Sequence, residues 1–305
     1  MENVRPTNQE DIKQLMQNNQ YRTIEQDVLY ALPKRLNRSN KGTYGKVLCI
    51  AGSRNMAGAA YLCAWAAYRT GAGLVRVLTP EVNRVILQTL LPEAVLTTFD
   101  PEVMDWKCIR DAFDWADTAA VGPGLGREPW ALALTRAAMT EFIKPVVLDA
   151  DGLNHLSEHR ELLTKREGAL ILTPHPGEFA RLTGQKVQDI IADIPGQARR
   201  FAEEHQCICV LKDAPSAVGS LSGDCYVNTT GNNGMSTGGS GDVLTGIIAG
   251  LLAQKSLPLQ AALLGVWLHG RAGDLAVKRE GPYGMMARHL LEYLPEAMKE
   301  RQEEE

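Results

Sequence analysis

Short apolar runs alternate with longer amphipathic stretches along most of the chain. Val47-Leu48-Cys49-Ile50-Ala51 is apolar at every position, as in a strand covered on both faces. Similar runs predict strands at 74–78, 94–98, 118–121, 145–149, 170–172 and 207–211, and a hairpin of 216–220 with 224–228 turning at Ser222-Gly223. Between them, helical periodicity predicts helices over 59–70, 81–91, 103–116, 130–142, 177–183, 187–205, 258–278 and 285–300. Gly71 supplies a stop for the first of these. The run 243–253 differs, being apolar on every side, so it is predicted to be a fully buried helix. The first forty residues are polar and irregular, with a short helix predicted at 8–19 capped by Thr7 or Asn8. They read as an N-terminal arm laid over the domain or a neighbouring subunit, too short to hold a further domain. Residues 41–305 then form one unit without a dividing linker.

Strands alternating with helices predict an α/β fold with a mostly parallel, doubly wound sheet between two helical layers. Ligands of such sheets sit beyond the carboxyl ends of the strands. Glycine- or aspartate-rich turns follow the predicted strands at 52–58, 122–126, 149–152, 173–178, 212–216 and 236–242, so these loops are expected to line one cleft.

The most informative of them is Gly234-Met235-Ser236-Thr237-Gly238-Gly239-Ser240-Gly241-Asp242, which runs directly into the buried helix. The first N–H groups of a helix have no partner within it and attract negative charge. Glycines let backbone and ligand approach closely. The arrangement reads as a phosphate site. A carboxylate there, Asp242, is either a helix cap or a general base beside a phosphoryl acceptor; the flanking glycines and the buried helix favour the base. Asp149 and Asp151 end a strand, where they act either as a turn and cap or as water-mediated ligands of Mg²⁺. Gly122-Pro123-Gly124-Leu125-Gly126 lacks the spacing of a dinucleotide-binding fingerprint, which counts against a dehydrogenase.

Gly-Gly-Ser-Gly-Asp entering a buried helix resembles the catalytic loop of the ribokinase-like fold. The longer run Asn233–Gly246 is similar to that of the ADP/ATP-dependent NAD(P)H-hydrate dehydratases, which repair hydrated, inactive nicotinamide cofactors. Thr173-Pro174-His175-Pro176-Gly177-Glu178, Lys212-Asp213-Ala214-Pro215-Ser216 and Leu268–Asp274 fit the same family in the same order, so the resemblance covers about residues 40–295. It implies a ribokinase-like three-layer α/β/α fold and ADP or ATP as co-substrate with Mg²⁺. It also implies that Ala59, Gly126, His175 and Asp242 meet the hydrated nicotinamide nucleotide (NADHX or NADPHX). Lys212, Asp213, Ala214, Pro215, Ser216, Ser240 and Gly241 would hold the nucleotide, with Asp242 catalytic. A cytoplasmic homotetramer is implied as well. The 268–274 stretch reads as a helix face packed behind the site. Family members often carry Gly and Thr where this chain has Asp213 and Ser216, and proline where it has Ala57 and Asn233. A small-molecule kinase of the same fold, such as one acting on a vitamin precursor, and a non-catalytic nucleotide sensor are the competing readings.

Composition narrows the partners. The net charge of −4 comes without a basic block, which argues against nucleic acid. The first thirty residues lack the apolar core of a secretion signal, and 243–253 is too short to cross a bilayer. Six scattered cysteines show no CxxC pair and suit a reducing compartment.

Overall fold

The structure, a computed structural model, describes residues 21–301; the helix predicted at 8–19 lies outside them. The strands are β1 (Arg22–Ile24), β2 (Lys46–Ile50), β3 (Leu74–Pro80), β4 (Val95–Phe99), β5 (Thr118–Val121), β6 (Val146–Leu148), β7 (Leu170–Leu172), β8 (Ile208–Leu211), β9 (Ala217–Gly219) and β10 (Cys225–Asn228). They form one ten-stranded sheet in the order β1-β10-β9-β8-β7-β6-β5-β2-β3-β4. From β8 to β4 all neighbours are parallel. β9 runs antiparallel to both β8 and β10, the predicted hairpin.

The helices are α1 (Ala57–Thr70), α2 (Arg84–Leu90), α3 (Trp106–Trp115), α4 (Pro129–Thr140), α5 (Ala150–Glu158), α6 (Glu161–Thr164), α7 (Pro176–Thr183), α8 (Val187–Ile191), α9 (Ile194–His205), α10 (Ser240–Ala253), α11 (Pro258–Gly284) and α12 (Ala287–Lys299). Alternation along β2 divides them into two layers. Val47 and Cys49 face a core shared with α1, α10, α11 and α12. Leu48 and Ile50 face a second core built by α3, α4, α5, α7 and α9. The result is the expected three-layer architecture. All six cysteines are free, and of these only Cys108 is exposed.

Every residue from Val243 to Ala253 is buried, as predicted. α10 lies so close to α1 that a Cβ on Gly246 would stand 2.1 Å from the Cys63 carbonyl oxygen, and one on Gly250 2.8 Å from that of Ala67. The alanines of α1 and the glycines of α10 therefore exist to let two backbones meet.

Several boundaries differ from the sequence expectation. The predicted helix at 187–205 is two helices, because Asp193 caps α9 by accepting from the Gly196 amide at 3.0 Å and Pro195 sits in its first turn. Proline suits that position and disfavours the interior of a longer helix. α3 starts at Trp106 rather than 103, capped by Asp105. α5 and α6 fall in a stretch without a helical assignment from sequence. Residues 22–32, placed in the arm, are built into the domain: β1 adds to the edge at β10, and Leu29 and Leu32 join the first core.

The tight α1–α10 contact gives a stability prediction. Gly246→Ala should destabilise the fold by about 1–3 kcal/mol, the usual cost of overpacking, read from urea denaturation at neutral pH.

Candidate active site

Four of the predicted loops converge at the carboxyl edge of the sheet. Asp149 follows β6, Thr173–Glu178 follows β7, Lys212 follows β8, and the glycine-rich run leads into α10. Their centre is a charge pair: the Lys212 Nζ is 2.8 Å from Asp149 Oδ1. Asp149 is 1% exposed, and its Oδ2 accepts a 2.8 Å bond from the Thr245 hydroxyl on α10. Burial pushes the Asp149 carboxyl up, but Lys212 and the Thr245 hydroxyl outweigh it and hold it below the ordinary value. Burial likewise pushes Lys212 down, and Asp149 and Glu178 more than restore it. Both groups are therefore charged, each because of the other.

Asp149 occupies the strand-end turn at the N-cap position of α5, but its side chain caps no amide there. It is instead the partner of Lys212. Asp151 is tied down too, accepting from the Gly126 amide at 2.8 Å and from Asn154 at 3.2 Å. Among the described residues no group of three or more His, Cys, Asp or Glu could cage a metal.

α10 opens at Gly239, whose φ of 91° is left-handed and which has no side chain to cap the helix. Asp242 sits in the first turn of the helix rather than at its cap, which removes the cap reading. The amides of Gly241 and Asp242 have no acceptor among the described residues. A Cβ on Gly241 would lie 3.1 Å from Lys212 Nζ, so the ammonium sits against the helix turn that carries the free amides. Asp242 is partly exposed. Burial, then the neighbouring charge of Asp149, push its carboxyl up to about 7, against the opposing pull of Lys212.

His175 stands exposed at the start of α7. Its Nδ1 accepts from the Gly177 amide at 3.0 Å, while the buried Glu178 carboxylate takes the His175 amide at 2.9 Å. Burial, with Lys212 and Arg181, lowers the His175 pKa, so the ring is neutral at neutral pH.

The loops at 52–58 and 122–126 lie side by side: the Gly52 amide donates to the Pro123 carbonyl at 2.8 Å. Gly126, at φ 81°, faces Ser53. Ala59 is 7% exposed and packs towards Gly124, while the adjacent Gly58 opens on free space. Asp213 and Ser216 bind within their own loop: Ser216 Oγ donates to the Asp213 carbonyl at 2.9 Å, and Asp213 Oδ1 accepts from the Ala214 amide at 2.9 Å. Ala214 and Pro215 complete this loop, joined by a cis peptide bond.

The 268–274 face lies behind the loop. His269 Nε2 is 2.9 Å from the Ser240 carbonyl, and burial holds this histidine neutral, its pKa lowered to about 4. Asp274 accepts from the Gly231 amide and the Asn232 side chain, both at 3.0 Å. The sequence reading passed over Thr245. The available signal was its being the one polar side chain in an otherwise apolar buried run, since a buried hydroxyl needs a partner.

Against this geometry, comparison with known proteins decides the family. The family of NAD(P)H-hydrate dehydratases matches residues 47–296. The chain belongs to that family. It is 42% identical over 280 residues to a bifunctional NAD(P)H-hydrate repair enzyme of Moorella thermoacetica, covering 90% of this chain and 53% of that protein. The chain thus spans about half the length of the bifunctional relatives it matches. The ADP-dependent (S)-NAD(P)H-hydrate dehydratase of Bacillus subtilis is 36% identical over 277 residues, covering 90% of this chain and 96% of that protein. A crystal structure of the ADP/ATP-dependent NAD(P)H-hydrate dehydratase from Bacillus subtilis, co-crystallised with ATP/Mg²⁺, superposes with a TM-score of 0.81 at 32% identity, covering 92% and 98% of the two chains. The fold is therefore that of the ribokinase-like dehydratases, and no helix among the described residues is long and apolar enough to cross a membrane.

The charge pair makes its own prediction. Asp149→Asn leaves the Lys212 ammonium without its partner and should cost about 3–5 kcal/mol. Replacing Lys212 by Met in the same chain should recover much of that loss, both read from urea denaturation at pH 7.

Proposed function

We propose that this member of the dehydratase family uses ADP or ATP to dehydrate the S form of hydrated NADH or NADPH. The observation that carries the reading is the meeting of two unpaired amides, Gly241 and Asp242, with Lys212 beside a carboxylate whose pKa is pushed up to about 7. Amides and ammonium suit a migrating phosphoryl group. A carboxylate poised near neutrality suits proton removal from a poorly acidic hydroxyl.

In this reading Asp242 takes the proton of the hydroxyl on the hydrated ring, and that oxygen attacks the terminal phosphorus of the nucleotide. The new O–P bond forms as the bond to the departing AMP (or ADP) breaks. Inorganic phosphate then leaves with the ring C–O electron pair, a proton is lost from the neighbouring ring carbon, and the dihydronicotinamide double bond returns. Phosphate is a far better leaving group than hydroxide, which gives the nucleotide its purpose. Positioning and electrostatics supply most of the rate.

Lys212, Ser240 and Gly241 hold the phosphates, with the 213–216 loop beside them. His175, Ala59 and Gly126 hold the nicotinamide nucleotide. Magnesium keeps several waters and needs few protein carboxylates when phosphate oxygens are at hand, which fits a site lacking an all-protein cage. When bound, it would neutralise phosphate charge, and the partly exposed Asp151 and Asp242 are the carboxylates that would hold it through water. A cytoplasmic homotetramer belongs to the same proposal, with sedimentation velocity as its check.

The vitamin-precursor kinase alternative shares the glycine loop but would leave the phosphoryl group on its product. Incubating hydrated NADH with ADP or ATP and magnesium should restore dihydronicotinamide absorbance and release phosphate; a stable phosphorylated product would overturn the dehydratase reading. Asp242→Asn should retain ADP binding while turnover falls by about 10²–10⁴-fold, the usual worth of a general base.

The pH dependence follows from the same carboxyl. The base must be ionised, so kcat/KM should rise with pH and level off above about 7. Stability runs the other way. A carboxyl with a folded pKa above its unfolded one contributes stability at low pH and loses it as pH rises through the folded value. Wild type should therefore lose stability relative to Asp242→Asn as pH rises from about 4 to about 7 and level off above that, measured by paired thermal melts.

A further inference from the structure

Glu178 stands between the residue read as meeting the nicotinamide nucleotide and the residue read as meeting the phosphates. Its side chain is only 8% exposed. One oxygen, Oε2, accepts the His175 amide at 2.9 Å and lies 3.9 Å from Lys212 Nζ. The other, Oε1, lies 3.5 Å from His175 Nε2. Because the Gly177 amide donates to His175 Nδ1, the ring proton of the neutral imidazole sits on Nε2, near Glu178 but not hydrogen-bonded to it. Beyond Lys212 the contacts continue to Asp149 at 2.8 Å and then to Thr245 on α10, three residues past Asp242. A polar chain thus runs from the exposed histidine to the helix that carries the base.

We propose that Glu178 couples the two ligand sites, so that nucleotide and nicotinamide cofactor each bind more tightly when the other is present. The inference rests on the functional reading above for which ligand meets which residue. A phosphate arriving at Lys212 draws the ammonium towards itself. Glu178 then loses part of its compensation while still buried; the His175 backbone amide stays on Oε2, and the ring N–H is the further donor within reach of Oε1. The Glu178–His175 contact tightens, and the imidazole is held in one orientation before the cofactor arrives. Thermodynamic linkage requires the reverse effect to be equal. The two sites differ in what they offer Glu178 with and without ligand, which is the condition for any such coupling.

Titration calorimetry of ADP, alone and in the presence of saturating NADH, tests this without turnover, since unhydrated NADH carries no hydroxyl to phosphorylate. In the wild-type protein NADH should tighten ADP binding by about 5- to 10-fold, the lower part of the usual allosteric range. In Glu178→Gln the tightening should fall below about twofold, with each ligand alone binding within about threefold of wild type. Glu178→Asp, which keeps the charge but cannot span both neighbours, should show the same loss, and thermal melts establish that both variants are folded. Full tightening in the folded Gln or Asp variant, or none in the wild type, would overturn the coupling. The hydrate assay on wild type stands apart from these titrations. Failure there, with coupling present and lost in the variants, removes the dehydratase reading and leaves the coupling in place.

Discussion

The carboxyl edge of the sheet depends on one buried charge pair, Lys212 with Asp149. Lys212 leaves the end of β8 and Asp149 the end of β6, so the pair spans β7 and pulls two loops onto a common point. Thr245 adds α10 to the same point. Burying two charges costs several kcal/mol per ion and is repaid only when geometry and further hydrogen bonds are good. Here the repayment comes from a 2.8 Å contact, a hydroxyl donor and the nearby Glu178 carboxylate. Burial first, and then the fixed negative charge of Asp149, hold Asp242 far above its ordinary pKa, and Lys212, already engaged by Asp149, offsets only part of this.

The glycine-rich loop is fixed from behind by residues that play no chemical part. His269 binds the Ser240 carbonyl, and Asp274 clamps Gly231 and Asn232. The turn that carries the unpaired amides of Gly241 and Asp242 is thereby held in place by the protein's own contacts, the kind of order that preorganised electrostatic stabilisation requires.

Much of this was legible in the sequence because burial patterns are local. The run at 243–253, apolar except for Thr245, could only be an interior helix, and strand positions followed from short apolar stretches. Motif order located Asp242, His175 and Lys212. What the sequence withheld depends on pairing across distance. Asp149 looked like a turn residue or a metal ligand because nothing local announces a lysine that lies 63 positions away in the chain. β1 has only three residues and is a strand solely because β10 offers it an edge. The helix predicted at 187–205 failed on a local cue that was present, Asp193 followed closely by Pro195, whose capping grammar outweighs the continuous periodicity.

That short parallel strand carries a consequence for the shape of the domain's border. Residues 22–24 lie outside the stretch that matches the family, 47–296, yet they occupy the hydrogen-bonding groups of β10. Unpaired strand borders are templates for joining another chain. β1 becomes the outer strand in its place, so the sheet ends in a border of three residues where β10 alone would present four, a shorter hem of open peptide groups.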